Sequence, residues 1–222
     1  MYYVVTNKRV KDNRGKYYAE ISESDESFSY LKLSENKNLL FECPRCGFSF
    51  HIKDNIGLYT VEFDSENIAD FTIGCTNIRY QFVVNEKTLH IFKSFKGIKS
   101  FKKADVVMVR GRIIDGKNLY LLEIERSTAI LSREKSKLSN PINTYRKDCR
   151  VCNPDGKQYM TFNGLSLEGK VDDFDFFTLY ENSSLLFISQ KVLEKSKNLE
   201  ISNLIDRCVP STEFDYDMLK ID

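Results

Sequence analysis

The chain has 222 residues, 41% hydrophobic and 29% charged, with 16 Phe, 12 Tyr, 4 Pro and 10 Gly. That suits one large or two small folded domains and excludes a disordered or Pro/Gly-rich chain. Lys and Arg (33) nearly balance Asp and Glu (32), so the net charge points to neither nucleic acid nor a membrane surface. No apolar run approaches the ~18 residues of a membrane span. The N-terminus also lacks the basic, apolar and small-residue regions of a signal peptide. A cytoplasmic location is expected, where thiols stay reduced.

Taken in chain order, short runs of apolar, aromatic and β-branched residues predict strands at 2–6, 17–21, 58–63, Val106–Val109, Leu119–Ile124 and 185–188. Arg14-Gly15 and, more strongly, Asp115-Gly116 are hairpin turn signals. Segments 22–34 and 132–147 are polar and read as loops, apart from an apolar stretch at 30–33. Asn85 and Ser189 are good helix N-caps. Leu89, Phe92 and Phe95 follow the first at helical spacing, with Gly97 as the expected C-cap. Val192, Leu193 and Leu199 follow the second. The expected class is α+β and strand-rich.

The two halves, 1–103 and 104–222, read as related. Shifted by 103 to 106 residues, Val4 to Arg9 falls on Val107 to Arg112, and Tyr18 to Ile21 falls on Leu121 to Ile124. Within that range of offsets Cys43 and Cys46 fall on Cys149 and Cys152, and Asp70-Phe71 falls on Asp173-Phe174. Phe82 to Leu89 falls on Leu186 to Leu193. The shared order and near-constant offset predict an internal duplication forming one unit.

Cys43-Pro-Arg-Cys46-Gly47 and Cys149-Arg-Val-Cys152-Asn153 each have the spacing of a zinc knuckle. Two residues between the thiols let both sulfurs face one ion. Gly47 tolerates the positive φ that such a turn needs, and Asn153 is the next best residue for it. Four thiolates close a tetrahedral shell, so the expected site is structural zinc, one knuckle from each half. His51 is a substitute ligand only if a thiol is missing. Cys75 and Cys208 read as small buried hydrophobes.

Two further stretches carry chemistry. Residues 92–103 interleave Phe and Lys, the pattern of a single-stranded nucleic-acid strip, or of a helix end whose Phe are core and whose Lys face water. Asp172, Asp173 and Asp175 cluster ahead of a strand. They suit an acidic docking patch, a catalytic metal site, or a solvated loop. His51 and His90 stand apart and make no acid–base pair.

The two knuckles, the Asp-Phe pairs, the strand-to-helix elements 82–95 and 186–193, and Ile201-Ser-Asn-Leu204 with Val209-Pro210 occur in an order that resembles the double-CXXCG motif family of bacterial proteins. The chain departs from that pattern at Asn153, where the family has Gly. Members are regarded as immunity proteins of contact-dependent or polymorphic toxin systems. The resemblance implies a non-enzymatic protein that binds and covers a cognate toxin, with Asp172, Asp173 and Asp175 as partner-binding residues. The alternative is a zinc-ribbon nucleic-acid-binding protein using 92–103.

Overall fold

In the computed structural model the strand-to-helix segments that follow each Asp-Phe pair form the middle of the molecule. The structure describes residues 1–6, 8–21, 31–33, 36–47, 49–55, 59–73, 82–143, 149, 151, 157–161, 163–171, 173–180 and 185–214. In chain order, β1 (Tyr2–Val5), β2 (Leu31–Leu33), β3 (Asn36–Glu42), β4 (Ser49–Asn55), β5 (Tyr59–Phe63), β6 (Phe71–Ile73) and β7 (Phe82–Asn85) lead into helix α1 (Glu86–Phe92). Next come β8 (Ile98–Lys103), β9 (Val106–Val109), β10 (Arg112–Ile113), β11 (Leu119–Ile124), β12 (Arg126–Ser127) and β13 (Ile130–Leu131). Then β14 (Ser139–Asn143), β15 (Lys157–Thr161), β16 (Leu167–Glu168), β17 (Phe176–Leu179) and β18 (Phe187–Ser189) precede helix α2 (Gln190–Asn198) and β19 (Cys208–Pro210). The α+β, strand-rich expectation holds.

Both helices start where their sequences say. Asn85 accepts a side-chain hydrogen bond from the Thr88 amide at 2.9 Å, and Ser189 accepts one from the Val192 amide at 3.4 Å. Each cap is braced by an aspartate one strand back. Asn85 Nδ2 donates to Asp70, and Ser189 Oγ donates to Asp175 Oδ1 at 2.9 Å. The same aspartates accept the cap residues' own amides through their backbone carbonyls, at 3.1 and 2.8 Å. With seven and nine residues the helices are too short to be stable alone; the faces carrying Leu89 and Phe92, and Val192 and Leu193, hold them by burial.

Two antiparallel sheet units repeat one plan. One has the order β6-β7-β11-β8; the other, β17-β18-β1-β19, carries β12 as an extra parallel edge strand. The registers coincide. Leu119 lies opposite the cap Asn85 as Tyr2 lies opposite the cap Ser189, and Phe71 pairs with Val84 as Phe176 pairs with Ile188. Leu122 pairs with Phe101 as Val5 pairs with Cys208. In position, then, Asp70-Phe71 corresponds to Asp175-Phe176, two residues beyond the Asp173-Phe174 that sequence alignment selects. Likewise 2–5 corresponds to 119–122, so the matches of Val4 to Val107 and Tyr18 to Leu121 do not describe the pairing. Segment 1–103 places β1 in the sheet of 104–222, and 104–222 places β11 in the sheet of 1–103.

The largest core cluster lies between these sheets and takes in both helices, with Phe71, Phe92, Phe176, Ile188, Val192 and Leu204 among its members. Phe92 and Phe176 rings meet at 4.7 Å across it. Each buried Phe contributes about 1.5–3 kcal/mol. A second cluster joins the outer face of the first sheet to the sheet β10-β9-β5-β2, through Val61, Phe63, Val83, Val107 and Leu121. A third covers the outer face of the other sheet, with Leu131, Phe177, Phe187 and Phe214.

Several sequence expectations shift. Residues 17–21 form only isolated bridges, Lys11 to Tyr17 and Ile21 to Phe63. Asn67 and Asp64 side chains take the polar groups there: Asn67 Nδ2 donates to the Tyr17 carbonyl at 2.9 Å, and the Glu20 amide donates to Asp64 Oδ1 at 3.0 Å. The hairpin after β9 turns at Arg110-Gly111, both at positive φ, with Val109 opposite Arg112. Asp115-Gly116 turns the chain between two different sheets. Gly97 is not the helix cap, since Lys93 ends α1; its φ is +111°, and a Cβ there would lie 1.8 Å from the Phe176 carbonyl oxygen. Within the polar segment 132–147 the chain forms β14, whereas β2 falls on the apolar stretch that the loop reading of 22–34 set apart.

Candidate metal centre

The knuckles sit at the tips of two hairpins. β3 and β4 pair from Asn36–Asn55 to Glu42–Ser49, and Cys43 follows directly. β14 and β15 pair from Ser139–Thr161 to Asn143–Lys157, and Cys149 lies in the intervening tip. A hairpin fixes the direction in which its tip points, so the β3–β4 and β14–β15 ladders bring Cys149 up to Cys43 and Cys46.

Cys43, Cys46 and Cys149 meet there, with their three sulfurs all within 4.8 Å of one another. Cys43 Sγ and Cys149 Sγ are 3.9 Å apart. Tetrahedral thiolates at about 2.3 Å from zinc stand about 3.8 Å from each other, so the spacing fits. The turn is built as the sequence predicts: the Gly47 amide donates to the Cys43 carbonyl at 3.0 Å, and Gly47 has φ +67°. On the second knuckle the Val151 amide lies 3.5 Å from Cys149 Sγ, the contact that supports a thiolate. Cys43 and Cys149 are buried, with Val151 and Tyr180 packed against them, whereas Cys46 is exposed. These three thiols are placed to hold a metal ion. Cys152 and Asn153 lie outside the described residues, as does Cys75.

The remaining sulfur is unlike these. Cys208 donates to the Leu204 carbonyl at 3.0 Å, and burial pushes its pKa up to about 12. It stays a neutral thiol, as expected of a small hydrophobe. His51 lies within β4, opposite Leu40, and His90 is exposed on α1.

Of the acidic trio, Asp172 lies outside the described residues. Asp173 is almost fully exposed and pairs with Lys96, which holds its carboxyl below the usual range. Asp175 turns inward: besides Ser189 it accepts the Lys96 amide at 3.1 Å, with Lys191 Nζ 3.6 Å away. Its carboxylate therefore fastens α2 and the end of α1 to one strand. In the 92–103 stretch, Phe92 and Phe95 are core, and Phe101 alone of the three is exposed.

Two buried polar groups carry no sequence signal. Glu123 on β11 accepts from Ser100 Oγ at 2.6 Å and pairs with Lys99 at 3.0 Å. Arg207 is fully enclosed. It donates to Asn203 Oδ1 at 2.8 Å, four residues back, and to the Thr6 carbonyl at 3.3 Å and the Glu20 carboxylate, tying its own segment to two distant parts of the chain. Nothing in spacing marks one arginine among many as buried. Tyr180, beside the thiols, was likewise unmarked.

Among the described residues no helix is long and apolar enough to cross a membrane. No protein-family model and no curated protein matches the chain.

Proposed function

We propose that this chain is a non-catalytic binding protein that neutralises a cognate bacterial toxin in the cytoplasm, stapled by one structural zinc ion on Cys43, Cys46, Cys149 and Cys152. The observation that carries the metal reading is the convergence of three thiols from two separate hairpins at tetrahedral spacing. A fourth thiol, Cys152 immediately after Val151, would close the shell and leave no position for substrate water. The ion then contributes folding energy and fixes the hairpins.

The matched sheet registers and braced caps support descent from a duplicated half, with a central strand traded between copies. Such a body offers broad, rigid faces, which suits covering a partner. The toxin itself is inferred from the double-CXXCG resemblance. Co-expression tests the reading: the product of the adjoining gene should arrest cells when expressed alone and form a one-to-one complex with this protein that restores growth. Arrest without rescue or complex formation would refute it. The zinc should be counted by plasma mass spectrometry, at one ion per chain.

A further inference from the structure

Besides the extra strand β12, the two sheet units differ in what covers one matched position. In the second unit, Cys208 occupies the place opposite Val5, and the long connection 199–207 from α2 folds over it, with Leu204 accepting its thiol. In the first unit the corresponding residue is Phe101, opposite Leu122, and the connection from α1 is only 93–97. The shorter connection leaves that face bare. Phe101 is 44% exposed, with the Tyr120 ring edge-on at 6.4 Å and Lys93 Nζ 4.1 Å above its centroid. Lys103, opposite Tyr120, is exposed beside them.

The surroundings are mainly basic, with Glu86 the acid beside Tyr120. Residues 87–103 contain Lys87, Lys93, Lys96, Lys99, Lys102 and Lys103 and no acid, in a chain whose charges nearly balance overall. Lys96 and Lys99 are spent on Asp173 and Glu123, which leaves Lys93 and Lys103 flanking the rings.

We propose that this face is a docking surface for an acidic protein partner, whose carboxylates meet Lys93 and Lys103 and whose apolar side chain covers Phe101. The proposal rests on the binding-protein reading above and names the face and the charge of the toxin it would cover. An exposed aromatic ringed by cations is the make-up of an interface anchor with a steering rim. The geometry disfavours nucleic acid. The ammonium of Lys93 already sits on one face of Phe101, and Tyr120 stands edge-on with its hydroxyl toward the Glu86 carboxylate at 3.4 Å, so neither ring is laid out to stack a base. Lysines along the edge strand β8 also oppose strand addition, so the partner covers the face rather than extending the sheet.

The test titrates the adjoining gene's product onto the full chain by interferometry. K93E/K103E and Phe101→Ala should each weaken binding at least tenfold, with wild-type binding weakening as salt rises and the K93E/K103E binding losing most of that dependence. Lys135→Glu, outside the face, should bind like wild type. Unchanged melting temperatures show that the variants fold. Wild-type affinity in both face variants would overturn the docking surface and leave the toxin reading standing. No binding by wild type, with no rescue of growth, would overturn both. Salt-sensitive binding of labelled oligothymidine that K93E/K103E abolishes would replace the protein partner with single-stranded nucleic acid.

Discussion

Replacing Arg207 with Met keeps a long apolar stem and removes the guanidinium. Three acceptors lose their donor: Asn203 Oδ1, itself buried, the Thr6 carbonyl, and the Glu20 carboxylate. Each buried acceptor left unmade costs about 1–3 kcal/mol, the Thr6 contact least because it is longest. Breaking a buried ion pair from one side costs about 3–5 kcal/mol. A loss of about 4 kcal/mol is therefore expected, against the roughly 5–15 kcal/mol that holds a typical domain. The loss should also depend on pH. Burial raises the Glu20 carboxyl above its ordinary 4.5, and Arg207 is the strongest of the groups pulling it back. A raised carboxyl favours folding below its unfolded value, and that contribution is lost as pH rises through the folded value. Without Arg207 the folded value rises further, so the deficit relative to wild type should be larger at pH 7.5 than at pH 5. Urea unfolding of both proteins at both pH values reads this directly; comparing the proteins at each pH cancels their common metal contribution. The pair Glu20→Gln with Arg207→Met should recover part of the loss. A deficit under about 1 kcal/mol, or one equal at both pH values, would refute the reasoning.

Cys43→Ser should abolish stoichiometric zinc and cost on the order of 3 kcal/mol or more, read by metal analysis and thermal melting; an unchanged melt would show that no metal supports the fold. Asn85→Ala should cost about 1–2 kcal/mol, because it also strips Asp70 of a donor, and Ser189→Ala about 1 kcal/mol, both by urea titration. Gly97→Ala should cost at least about 2 kcal/mol, since the backbone is left-handed there and Phe176 blocks the methyl. Gly116→Ala meets open space and should cost about 1 kcal/mol, which separates strain from collision in the same assay.

What the sequence reveals is mostly local. Asn85 and Ser189 were legible as caps because a cap acts within three residues. Cys43, Cys46 and Cys149 were legible as candidate ligands because knuckle spacing is set by one turn. β1, β5, β9 and β11 were legible from β-branched and aromatic runs. The seven-residue ladder β3–β4 was missed, although it is what aims the first knuckle: its Asn, Lys and Glu dilute the apolar signal. The hairpin at Arg110-Gly111 was passed over for Asp115-Gly116, since both contain the glycine a tight turn needs and only pairing decides between them. Gly97 looked like a cap because a glycine just past a helix usually is one; its real constraint is a carbonyl 79 residues away in the chain. Burial of Arg207 and the inward turn of Asp175 follow from which distant segments meet, and no window of sequence holds that.

The placement of β1 has a consequence for how the chain is made. Tyr2–Val5 leaves the ribosome well ahead of its neighbours β18 and β19, which follow some 180 residues or more later. At about 5–20 residues per second, the strand waits roughly 10–40 s for the edges it must join. Meanwhile β6, β7, α1, β8 and β11 are all complete by residue 124 and can assemble as a unit. Folding is therefore expected in two stages. An early one builds the sheet around α1, and a later, slow one of high contact order places β1 between β18 and β19, only after synthesis has passed residue 210.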